Sequence, residues 1–306
     1  MSFLRLCLLM FLLTACGGQA TSTQLPTQPS ASAPITDIVP PAITQTNTAT
    51  PIFPPVPSCE DWQSWSIIPR VSETVREIYQ RGHGDGNNPQ AFSKIGDGEI
   101  STAWFLTTFD LGEEYYDIGS YQDLQPVIDQ FRGSFERIGM AARRGFNTHK
   151  ILDPAMSDPV LCESGESPLT CELRLHRPAF ALLSFGTNQV WEPEEFEVGM
   201  RQILEILLSQ NVVPILSTKG DNLEGDHRIN RTIACLAQEY DLPLWNFWSA
   251  IQPLPDHGLQ PDLEHLTYSG KMDFDDADAM QSAWTVRNLT ALQALSAVWR
   301  GVIAPP

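Results

Sequence analysis

From residue 59 onward, short stretches that are almost wholly apolar alternate with longer ones in which apolar side chains recur every three or four positions. The first kind fits a strand buried on both faces and the second a helix lying against it, so the alternation predicts a parallel sheet covered by helices. Strands are expected over 91–97, 178–186 and 212–217, the middle one nearly continuous in apolar character. Between the last two, 194–210 places Phe196, Met200, Ile203, Leu204, Leu207 and Leu208 at helical spacing. Pro193 stands near the start of that helix, where a missing N–H costs nothing. A helix over 228–240 leads to the apolar segment 243–248, and 283–303 closes the chain as a helix rich in Leu, Ala and Val. No repeat and no second linker interrupts the pattern, so 59–306 is expected to form one three-layer α/β/α domain with a central, mainly parallel sheet.

The N-terminal part follows a different pattern. Residues 1–15 read as a signal sequence: Arg5, an apolar run over 6–13, then small residues. The run is too short for a stable membrane span. Leu13-Thr14-Ala15-Cys16 resembles a bacterial lipobox, whose cysteine is acylated and becomes the first mature residue. Cys16 is therefore the expected lipidation site. The protein is expected to be an exported bacterial lipoprotein, held by its acyl chains at the outer face of the cytoplasmic membrane or at the cell surface. Residues 16–58 are dominated by Thr, Ser, Gln, Ala and Pro, with Asp37 their only charge. Such a segment buries too little apolar area to offset its ordering entropy, and a disordered linker is expected.

Composition narrows the partners. With 19 Lys and Arg against 37 Asp and Glu, the net charge is −18, which repels phosphate backbones and argues against nucleic acid as a partner. Setting aside Cys7 and Cys16 leaves Cys59, Cys162, Cys171 and Cys235, an even number for an oxidising compartment. Cys162 and Cys171 flank a polar stretch, which makes their pairing the simplest of the three connectivities; Cys59 with Cys235 then follows. No CxxC pair or cluster of histidines accompanies them, so no metal is expected.

In open parallel sheets the reactive crevice lies beyond the carboxyl ends of the strands. The polar residues placed there are Gly96-Asp97-Gly98, Gly186-Thr187-Asn188, Lys219-Gly220-Asp221 and, near the C-terminus, Asp262 to His265. Four short blocks, Ile95-Gly96-Asp97-Gly98, Arg144-Gly145-Phe146-Asn147, Gly186-Thr187-Asn188 and Asp262-Leu263-Glu264-His265, occur in the order found in SGNH (GDSL-type) hydrolases, and the domain resembles that family over almost its whole length. The resemblance implies a flavodoxin-like fold, an esterase-type activity on carboxylic esters or acylated glycans, and no cofactor. It implies that His265 is the base and Asp262 the carboxylate that holds its tautomer. Asn188, through its side-chain amide, and Gly145, through its backbone N–H, are the implied oxyanion donors.

Gly98 departs from the family pattern, because it stands at the position of the nucleophilic serine and has no side chain to attack with. Three readings stay open: a catalytically inactive domain that keeps the pocket to bind a cell-surface glycan or another ligand; an enzyme with a substitute hydroxyl, Ser101 first and Ser93 second; or direct activation of water by Asp262 and His265 in the space that Gly98 leaves. Asp221, Glu224, Asp226 and His227 are expected to form a solvated acidic loop at the pocket rim. The acidic run 273–278 is expected to cap the final helix. Trp245, Trp248, Trp284 and Trp299 are expected in the core, whereas an exposed tryptophan beside His265 would read as a sugar-stacking platform.

Overall fold

A computed structural model describes residues 58–304. The chain divides into two units, Met1–Phe53 and Pro54–Pro306, and the description below concerns the second. The expected signal 1–15, the lipidation site Cys16 and the linker up to residue 57 lie outside the described residues.

The sheet has four parallel strands in the order β1 (Asn88–Gly96), β2 (Pro178–Ser184), β3 (Val213–Ser217), β4 (Leu244–Trp245). All seven residues of β2 are buried, as continuous apolar character demands of a strand covered on both sides. Beyond β1, Gly96 pairs in parallel with Ala142 through a single bridge. Counting that bridge as a rudimentary edge gives the spatial order 2-1-3-4-5 of flavodoxin-like sheets.

Among the described residues ten α-helices flank or follow the strands: α1 (Glu73–Gly84), α2 (Gly98–Ser101), α3 (Thr108–Leu111), α4 (Gln125–Gln130), α5 (Thr148–Leu152), α6 (Pro168–His176), α7 (Pro193–Ser209), α8 (Arg228–Glu239), α9 (Phe247–Ile251) and α10 (Ala283–Ile303). Helices α6, α7 and α8 are the crossovers between successive strands; they pack on one face together with α5. The other layer holds α1, α4, α9 and α10, each of the first three packed on α10. Right-handed crossovers along a sheet that grows in one direction put their helices on one side, leaving the opposite face for the first and last helices.

Boundaries differ modestly from the sequence pattern. Strand β1 begins at Asn88, three residues before its apolar run, because Asn88 N donates to Arg177 O at 2.7 Å. Only Leu244 and Trp245 of the segment 243–248 pair as a strand; Asn246 then caps α9. The acidic run 273–278 does not cap α10, whose N-cap is Ser282 and whose first turn holds no acid. Its carboxylates fold the loop on itself: Asp273 accepts from Asp275 N and Asp276 N, Asp276 accepts from Ala279 N and pairs with Lys271.

Disulfides join Cys59 to Cys235 and Cys162 to Cys171. The first fixes the 3-10 turn Cys59–Ser64 onto α8, where Trp62 is buried edge-on against Trp248 and His227.

Candidate active site

The carboxyl ends of β1 and β2 and the loop before α10 enclose a cavity of about 650 Å³. Gly98, Ser101, Gly145, Asn188 and His265, all singled out in the sequence, line it together. Asp262 stands behind His265.

The histidine is positioned by its own loop. Asp262 Oδ1 accepts the backbone N–H of Glu264 and of His265, and Asp262 Oδ2 lies 2.8 Å from His265 Nδ1. The three-residue spacing lets one carboxylate organise the turn and the ring at once. Leu263 between them takes a left-handed φ of 59°, a conformation that costs energy in a non-glycine residue and persists where the surroundings enforce it. Here the enforcement comes from Gln260, whose N donates to His265 O and whose Nε2 donates to Leu266 O. The same backbone N–H groups hold the Asp262 carboxyl at about 2. The hydrogen bond that His265 Nδ1 donates to Asp262 raises the imidazole above its ordinary value, which makes it a stronger base. His265 Nε2 makes no hydrogen bond among the described residues.

The oxyanion candidates come from two other loops. Gly145 has φ 78°, with open space where a Cβ would stand, and its N–H has no partner among the described residues. Asn188 Nδ2 donates one hydrogen to Phe146 O at 2.9 Å, which leaves its second for the cavity and ties it beside Gly145. Gly98 opens α2, with Asp97 as N-cap accepting from Glu99 N. Its φ is not left-handed, and a Cβ there would meet only Arg144 Cγ at 3.7 Å. The backbone would accept a serine; glycine is not imposed by the fold. Two residues earlier Gly96 is imposed, since its φ is 153° and a Cβ would lie 2.0 Å from Ser184 O.

Neither substitute hydroxyl reaches the base. Ser101 Oγ lines the cavity but donates, at a long 3.4 Å, to Gly98 O. Ser93 is buried inside β1 and donates to Glu172.

Of the loop after β3 expected to be solvated, Asp226 is exposed and His227 half-buried, whereas the side chains of Asp221 and Glu224 are buried. Asp221 and Glu224 both contact the buried Lys219 ammonium, and Thr187 donates to Asp221 Oδ2 at 2.6 Å. A polar run reads as solvated only when its counter-charge is out of view, and Lys219 sits just before it.

Other groups at the cavity went unnoticed in the sequence. Trp104 lines the cavity, is 47% exposed and stacks on Tyr268, itself 52% exposed, at 4.7 Å between ring centroids. Among the tryptophans expected in the core, Trp245 and Trp284 are buried, the latter at the cavity wall, while Trp248 and Trp299 are partly buried against it. Glu99, immediately after Gly98, also faces the cavity. Its carboxyl is raised by burial, and Asp97 beside it is pushed by burial and by Glu99 up to about 7.

No protein-family model matches the sequence, and no curated protein matches it. Among solved structures, the chain is similar to a protein assigned to the G-D-S-L lipolytic family from Desulfitobacterium hafniense DCB-2, at 11% identity and a TM-score of 0.40, covering 67% of this chain and 99% of that one. It is also similar to a GDSL-like lipase from Bacteroides thetaiotaomicron VPI-5482, at 14% identity and a TM-score of 0.38, covering 68% and 93%. At those scores neither likeness assigns a role to any residue.

Proposed function

We propose that the domain is an ester hydrolase in which His265, oriented by Asp262, activates water directly in the space left by Gly98. The observation that carries this reading is the 2.8 Å Asp262–His265 contact beside a cavity shared with Gly98, Gly145 and Asn188. A base of raised basicity, unspent donors and room for a small nucleophile are the parts such a reaction needs. Water oxygen bonds to the acyl carbon while its proton passes to His265 Nε2. The carbonyl electrons move onto oxygen, facing Asn188 and the Gly145 N–H. Collapse breaks the acyl–oxygen bond, and the imidazolium returns the proton to the leaving alkoxide, giving acid and alcohol without a covalent enzyme intermediate.

The substrate class in this reading is a small ester or an acylated surface glycan. The N-terminal pattern extends the proposal to a lipoprotein: acylation of Cys16 would tether the domain outside the cytoplasmic membrane. The runner-up is a catalytically inactive domain that binds a glycan or other ligand at the surface, favoured by the exposed Trp104–Tyr268 pair at the cavity.

A fluorophosphonate probe together with p-nitrophenyl acetate separates the two. The proposal expects hydrolysis by the wild-type protein that vanishes in His265→Ala and survives in Ser101→Ala, with no labelling by the probe. Gly98→Ser should become labelled through His265. A wild type silent toward esters beside a Gly98→Ser that gains His265-dependent turnover would establish the binding reading.

A further inference from the structure

Below the cavity floor lies a charge that the mechanism above leaves unused. Arg287 projects from the apolar helix α10 and is fully buried. Its guanidinium is boxed by Phe247, Phe105 and Trp245, with ring centroids 4.5, 5.1 and 5.2 Å away. Nη2 donates to Ser184 Oγ at 2.8 Å, while Nε and Nη1 have no hydrogen-bond partner among the described residues. A buried cation with unspent donors is costly unless an anion stands close. The anion here is Glu99, whose Oε2 lies 3.4 Å from Arg287 Nη1.

Glu99 also has unspent capacity. Its carboxylate accepts no hydrogen bond among the described residues, its side chain is 19% exposed, and it lines the cavity beside Gly98 and His265. Arg287 thus steadies from beneath a carboxylate whose remaining lone pairs are free. A serine hydroxyl is held in place by its own Cβ; a water in the gap at Gly98 has no such tether, and one base alone leaves it free to rotate. A second acceptor supplies the missing restraint.

Building on the hydrolase reading, we propose that Glu99 is a catalytic residue that orients the nucleophilic water: its carboxylate accepts a hydrogen bond from one O–H while His265 Nε2 takes the proton of the other. Glu99 stays ionised throughout. The hydrogen it holds remains on the attacking oxygen, and leaves with the product acid.

The reaction then needs Glu99 ionised and His265 neutral, and both conditions fail as pH falls. The charged groups that face Glu99 are Arg287 from α10, Asp221 and Lys219 after β3, His265 from the C-terminal loop and Asp97 on its own segment.

The test measures kcat and KM of the full-length protein for p-nitrophenyl acetate from about pH 4 to about pH 9, for wild type, Glu99→Gln, Glu99→Asp and His265→Ala. Glu99→Gln is expected to lower kcat by roughly 10²-fold with KM little changed, and to reduce the limiting slope of the acid limb from two protons to one. Glu99→Asp should recover part of kcat and the two-proton slope. Retained kcat, or a loss of kcat with the acid limb unchanged as a purely structural pair would give, overturns the inference while the hydrolase reading stands. A wild type without His265-dependent hydrolysis overturns that reading, and the inference with it.

Discussion

Two sets of charges meet at the cavity, and they are built in opposite ways. Above it, Asp262 and His265 come from one short loop, are 49% and 60% exposed, and are arranged by backbone N–H groups within three residues of each other. Below it, Arg287 pairs with Glu99 from a segment distant in the chain, and Lys219 pairs with Asp221 and Glu224 of its own loop; both groups are nearly or wholly sealed from solvent. Exposed pairs add little to stability because water screens them and flexible side chains must be ordered. Sealed pairs are different: desolvation is already spent, and removing one partner strands the other. The upper set can therefore be changed at the expense of chemistry alone, while the lower set couples chemistry to folding.

The contrast breaks most readily at Lys219. Lys219→Met leaves two buried carboxylates without a counter-ion and should lower the unfolding free energy by about 3 to 5 kcal/mol, read by urea denaturation. Arg287→Met comes next, at about 3 kcal/mol in alkaline solution, with the deficit shrinking on acidification because Asp97 and Glu99 can take up protons. An equal deficit at both ends of the pH range would show that neither carboxyl depends on Arg287.

A smaller effect sharpens the sign. The Asp97 carboxyl is raised from 3.8 to about 7 in the folded state. The native chain then holds a proton that the unfolded chain releases, so this contribution to stability is full below pH 3.8 and is lost as pH rises through about 7. Asp97→Asn keeps an oxygen for Glu99 N and should remove that dependence, up to about 1.4 kcal/mol per pH unit within the window, measured by denaturation at a series of pH values.

At the upper set, His265→Ala should leave the melting temperature in place while ester hydrolysis falls by about 10² to 10⁴. In the wild type, activity should decline as pH drops through a value above the ordinary imidazole 6.5, because Asp262 favours the protonated ring. The smallest effect on stability is expected at Gly98→Ser, whose added Cβ meets only Arg144 Cγ; a clear fall in its unfolding midpoint would mean that the cavity floor is tighter than this contact indicates.

What the sequence disclosed divides along the same line. Helix α10 was legible to its ends, and β2 nearly so, because each announces itself through a local run of apolar residues. The Asp262–His265 loop was legible because its geometry is made within four residues. The buried acids Asp221 and Glu224 were misread because nothing local shows that Lys219, two and five residues before them, is itself buried. Glu99 and Arg287 were missed for a related reason: each looks ordinary beside its sequence neighbours, and only the packing of α10 over β2 joins them. An arginine within the apolar run of that helix was the available signal. Trp104 offered none, since nothing local distinguishes an aromatic ring facing a cavity from one in the core.

The bond between Cys59 and Cys235 has a mechanical consequence. A pull applied at Ser58 enters a covalent link to α8 at the very next residue. The turn Cys59–Ser64 and α1 therefore lie outside the load path and are not peeled away one hydrogen bond at a time. Under tension from that end the loop 59–235 closed by the disulfide is shielded and the load passes first to α8, whereas after reduction the same pull would unzip the domain from its N-terminal end.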